Sequence, residues 1–195
     1  MKNSSEVEVL CLYYSYTGRE TNYYEISNGI DSIDEDDFTP TNFWASLGGF
    51  SITIDGFYTI FTSHNFYNMV KATSFLISSI YWLKGKKSDW FDIDGEDVQI
   101  DIKFGLNELF TMKKADSDNI VLSYLSVNDG PVKKRGSHFF DGVYIPKKVW
   151  IKAVSIALNE YFTVLKNIVA DNPEDKNCKL MSEYYNTWQL VNNSI

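Results

Sequence analysis

The sequence predicts a single α+β domain: a mostly antiparallel sheet with two long helices and a short C-terminal helix packed against it. Three observations carry this. Short runs alternating in polarity cluster together. Two long stretches have apolar residues at helical spacing. The strands also group between the helices instead of alternating with them one for one. A chain of 195 residues suits one domain and buries a core large enough to fold without disulfides or metal.

Residues 6–16 open the pattern. Val7, Val9, Cys11 and Tyr13 fall on one alternation, with Leu10, Leu12 and Tyr14 on the other. This predicts a strand buried on both faces at its centre. Thr17-Gly18-Arg19 ends it. Residues 17–42 read as an irregular, acidic, turn-rich segment within the domain. Residues 43–62 read as two strands, with Phe50, Ile52 and Ile54 alternating against Ser51 and Thr53. The hairpin is expected at Asp55-Gly56.

Ser63 is the candidate N-cap of a helix of about twenty residues that stops at Gly85. Val98, Ile100, Ile102 and Phe104 alternate against Gln99, Asp101 and Lys103, the clearest half-buried strand in the chain. Residues 109–113 and 119–127 form a hairpin across Ala115-Asp116-Ser117-Asp118. A polar loop covers 128–137, and 138–144 hold a short strand. Pro146 opens a long apolar helix over 149–170, which Asn172-Pro173 ends. A last helix lies within 174–191, with Met181, Tyr184, Tyr185, Trp188 and Val191 along one side.

Charge is distributed unevenly. The chain carries 18 basic and 26 acidic residues, a net charge of −8. Residues 1–40 hold Lys2 and Arg19 against nine acidic residues, so −7 of that charge lies in the first fifth of the chain. Its densest part is Asp31, Asp34, Glu35, Asp36 and Asp37. Such a run has two uses: a solvated loop that aids solubility, or a contact surface for a cationic partner. Nucleic acid is disfavoured, because phosphate binding needs a positive surface, and Lys133-Lys134-Arg135 is too short to supply one. Tyr23 and Tyr24 share the irregular segment with the acidic run, and tyrosine beside acid groups is a common protein-contact composition.

Chemistry-bearing patterns are sparse. His64 and His138 are the only histidines, in no recognisable catalytic arrangement. Asp89, Asp92, Asp94 and Gly95 lack calcium-loop spacing, and Asp116 and Asp118 read as turn residues. Gly48-Gly49 lacks the lysine and hydroxyl of a phosphate loop. Cys11 and Cys178 lie far apart and outside any C-x-x-C pair, so no disulfide framework exists, although the two could pair with each other. No cofactor and no metal is expected. The N-terminus lacks a signal-peptide pattern, no stretch is long and apolar enough to span a membrane, and a cytoplasmic location is expected.

The reading these features favour is a non-enzymatic acidic protein-binding protein. It would be an immunity or inhibitor protein that neutralises a basic toxin or enzyme, possessed by a bacterium with an AT-rich genome. Its partner-binding residues would be Tyr23, Tyr24, Asp31, Asp34, Glu35, Asp36 and Asp37. The alternatives are a small enzyme with an unrecognised carboxylate or histidine site, and a structural or assembly subunit. The oligomeric state stays open.

Overall fold

The computed structural model describes residues 6–17, 20–28, 38–56, 58–61, 69–88, 93–104, 108–126 and 140–195. It is an α+β body with two four-stranded antiparallel sheets where the sequence suggested one. The first has the order β2-β1-β3-β4 and the second the order β5-β6-β7-β8, a simple meander.

β1 (Val7–Thr17) is central to the first sheet. Val7, Val9, Cys11, Leu12 and Tyr13 are all buried, as expected of a strand covered on both faces. It pairs with β3 (Gly48–Ile54), placing Cys11 opposite Phe50 and Val9 opposite Ile52. On its other side lies β2 (Glu20–Glu25), so residues 20–25 are a strand and not part of an irregular segment. Polar composition hid it: an edge strand needs only one hydrogen-bonded neighbour and tolerates polar residues. β4 (Tyr58–Phe61) follows a turn through Asp55 (φ 50°) and Gly56 (φ 69°), the left-handed geometry that Asp tolerates and Gly adopts freely.

Residues 43–45 also depart from the sequence reading. They end α1 (Pro40–Ala45), a short helix capped by Thr39, whose hydroxyl accepts from Asn42 N–H at 3.3 Å. Thr39 followed by Pro40 is a helix-start signature of the kind proline and a capping hydroxyl make together.

α2 (Met69–Leu83) is the central helix, buried on nearly every side. Small polar residues make that packing possible. Thr73 and Ser79 return their hydroxyls to the backbone oxygens of Met69 (2.8 Å) and Leu76 (2.7 Å). Gly85, at φ 67°, ends the helix: Lys86 N–H reaches Tyr81 O and Gly85 N–H reaches Trp82 O, the paired bonds of a glycine C-cap. The predicted start at Ser63 lies outside the described residues.

The second sheet comprises β5 (Gln99–Phe104), β6 (Glu108–Lys114), β7 (Asn119–Ser126) and β8 (Phe140–Pro146). Its inner face is apolar: Ile100, Ile102, Phe110, Met112, Ile120, Leu122, Val143 and Ile145 are all buried. The outer face presents Gln99, Asp101, Lys103 and Lys113 to solvent. At the β6–β7 turn the Asp116 carboxylate accepts from the backbone N–H groups of Asp118 and Asn119, each at 2.8 Å, which is the turn role expected of it.

An aromatic chain joins the two sheets through α2. Phe50 of β3 stacks on Phe75 at 5.5 Å, Phe75 meets Phe110 of β6 edge-on at 6.2 Å, and Phe110 stacks on Trp150 at 6.4 Å. Trp150 belongs to α3 (Lys147–Asp171), which follows β8 directly, with Pro146 at its N-cap. The turn after α3 leads into α4 (Cys178–Asn192), whose Met181, Tyr184, Trp188 and Val191 are buried. Trp188 stacks on Phe162 at 6.0 Å, and its indole N–H donates to Asn159 at 2.9 Å.

Candidate protein-binding surface

The expected contact residues divide into two groups. Tyr23 and Tyr24 lie on β2, in register with Tyr14 and Tyr13 of β1. They are therefore consecutive positions on an edge strand. Asp31, Asp34, Glu35, Asp36 and Asp37 lie outside the described residues, as do His64, His138 and the 133–135 basic cluster.

The chain on either side of the acidic run is well anchored. Before it, Ile26–Asn28 form a 3₁₀ turn whose Ile26 is buried in the core. After it, Phe38 packs against the core, and its carbonyl accepts from Asn172 Nδ2 at 3.0 Å. Thr41 follows with its hydroxyl 2.7 Å from the Asp175 carboxylate, while Asn177 Nδ2 donates to Thr41 Oγ1 at 3.0 Å. These bonds tie α1 to the turn between α3 and α4. Hydrogen bonds from Thr41 and from the Asn177 backbone hold the Asp175 carboxyl below its ordinary range.

Further acidic groups adjoin the first anchor. Glu160, on α3, has its carboxyl raised above the ordinary range by partial burial and then by the charge of Glu25 at the end of β2. Two carboxylates outside the acidic run thus add to the negative field there. Sequence reading missed Glu160, and no local signal could have revealed it. Its nearness to Glu25 arises from α3 packing against β1 and the 3₁₀ turn.

Behind the first sheet lies a buried polar cluster. Tyr184 Oη sits 2.6 Å from Thr73 Oγ1 and 3.1 Å from Ser74 Oγ. Tyr161 Oη is buried as well and makes no hydrogen bond among the described residues. Thr73 is near enough to favour the Tyr161 phenolate slightly, but its hydroxyl is engaged by Tyr184 and the Met69 carbonyl. Burial pushes both phenols up, and it does the same to the Cys11 thiol, with Glu160 adding to the Cys11 shift. A thiol held neutral is a poor nucleophile, so Cys11 serves packing. Cys11 and Cys178 are both free thiols. Cys178 donates to the Asn172 carbonyl at 2.8 Å, closing the turn before α4.

Among the described residues, no group of three or more His, Cys, Asp or Glu side chains could hold a metal ion. No described helix is long and apolar enough to cross a membrane. No protein-family model, curated protein or solved structure matches the chain.

Proposed function

We propose that the chain is an acidic protein-binding protein that neutralises a basic partner, such as a toxin or enzyme, in the manner of an immunity or inhibitor protein. The supporting observation is the concentration of negative charge in residues 1–40, together with the seating of both flanks of its densest part. Charge held near a fixed surface steers a cationic partner and aligns it, whereas charge on a free tail only attracts it. Glu25 and Glu160 extend the field across the first anchor. Tyr23 and Tyr24 add aromatic contact positions on the neighbouring edge strand. In this reading the protein meets its partner in the cytoplasm.

The test is a pull-down from the source cells with the tagged chain, eluted with salt. A basic protein should elute as the ionic strength rises, because salt screens exposed charge pairs. The combined change Asp34→Asn, Glu35→Gln, Asp36→Asn and Asp37→Asn should weaken its capture by at least about tenfold. Unchanged capture by that variant would refute the proposed surface.

A further inference from the structure

The open edge of the second sheet has the features of a strand-pairing surface. Among the described residues, β5 pairs with β6 and with no strand on its other side. Lys114 N–H donates to Val98 O at 2.9 Å, so the even-numbered residues of this strand exchange hydrogen bonds with β6. The backbone N–H and C=O groups of Gln99, Asp101 and Lys103 therefore point away from β6. A groove of about 380 Å³ follows that side, lined by Ile93, Asp97 and every residue from 99 to 103. Consecutive residues of a strand lie on opposite faces, so a groove touching all five runs along the edge of the strand.

We propose that the occupant of this edge is a second copy of the chain. The two β5 strands pair antiparallel about a two-fold axis, with Ile100 opposite the partner's Ile100, and the two meanders become one continuous sheet. In this register the edge complements itself on both faces. On the outer face, Gln99 meets the partner's Asp101, a pair that occurs twice by symmetry. Gln99 Nε2 already donates to Asp101 of its own chain at 3.0 Å, so the pairing redirects a bond of the same chemistry. On the inner face, Val98 meets the partner's Ile102. That contact covers an apolar side chain that is 61% exposed in the single chain.

The charges also select the register. A two-residue slip one way sets Asp101 opposite the partner's Asp101, and like charges directly opposite destabilise a strand pair; a slip the other way sets Gln99 opposite Gln99 and loses the Gln99–Asp101 pair. A one-residue slip exchanges the two faces and turns the wrong backbone groups toward the partner. This inference is independent of the proposed function, because β5 and residues 1–40 are separate parts of the chain.

Sedimentation of the full chain tests it. A concentration-dependent species of twice the 22.5 kDa chain mass is expected. Gln99→Asp places aspartate against the partner's Asp101 at two symmetric positions and should weaken association by about tenfold or more. Adding Asp101→Gln to Gln99→Asp exchanges the two members of the pair and should restore association to within about twofold of the wild type. Hydrogen exchange supplies a readout without any variant: the Gln99 and Asp101 amides should slow as the wild-type concentration rises. A monomer at millimolar concentration overturns the proposal. So does a dimer indifferent to Gln99→Asp, or one in which those two amides exchange at the monomer rate.

Discussion

The two sheets have the same number of strands and the same antiparallel pairing, yet they are built against different interiors. The first places its central strands β1 and β3 in the body of the protein. Behind it lie Thr73, Ser74, Tyr161 and Tyr184, so its packing includes polar atoms that need partners. The second keeps one face in solvent and closes the other with hydrocarbon and aromatic rings. The first sheet thus depends on hydrogen-bond geometry as well as shape, whereas the second depends chiefly on apolar burial, which is non-directional. Both depend on Phe75, where the ring chain from Phe50 to Trp150 crosses α2.

Removing that bridge should have the largest effect. Phe75 is fully buried between rings from both sheets, so Phe75→Ala should cost about 3–5 kcal/mol by lost burial and a residual cavity. Chemical denaturation measures the loss. Native-state hydrogen exchange tests the bridge itself: amides of β3 and β6 should accelerate together in the variant. Acceleration confined to one sheet would mean that the other stands without this contact.

The same contrast explains how much of the fold could be read from the sequence. The second sheet was legible because a half-buried strand writes its environment as alternation. Ile100 and Ile102 are buried while Gln99, Asp101 and Lys103 are exposed, as the pattern predicted, whereas Val98, at the start of the same run, is exposed. The Asp55-Gly56 turn, the Gly85 stop and both C-terminal helices were legible for similarly local reasons. β2 was not, because an acidic edge strand carries no alternation strong enough to separate it from a loop. Strand order was not legible either. β1 lies between β2 and β3, and its pairing with β3 closes over a segment holding β2 and α1. The division into two sheets follows from such long-range pairing, which no local pattern records. Of the proposed surface, the charge was visible in composition, but the contribution of Glu160 needed the packing of α3.

A smaller effect should separate the two tyrosines behind the first sheet. Tyr184→Phe removes a hydroxyl bonded to Thr73 and Ser74, and it should cost about 1–2 kcal/mol. Tyr161→Phe removes a buried hydroxyl that makes no hydrogen bond among the described residues. It should leave stability unchanged or raise it by up to about 1 kcal/mol. Thermal unfolding of the two variants side by side measures the difference in sign. A clear loss for Tyr161→Phe would show that a buried water completes the cluster, as it does for many internal polar groups.

The mildest test concerns the tie between α1 and the α3–α4 turn, beside the polar interior of the first sheet. The Asp175 carboxyl titrates below its unfolded value because the Thr41 hydroxyl and the Asn177 backbone N–H bind its charged form. A depressed carboxyl stabilises the fold above its unfolded pKa of about 3.9, and that contribution disappears as pH falls through the folded value. Asp116 is depressed in the same direction by Asn119, so the acid limb of the wild type combines both groups. Comparison with Thr41→Val isolates one of them, since the change removes the main donor to Asp175 and leaves the β6–β7 turn intact. The stability difference between wild type and Thr41→Val should be largest near neutral pH and shrink as pH falls below about 4. Among the described residues, no hydrogen bond ties the second sheet to α1, so those of its amides that exchange by local opening should do so equally in both proteins at either pH. A difference that is flat with pH would mean that Thr41 acts through packing and not through the Asp175 charge.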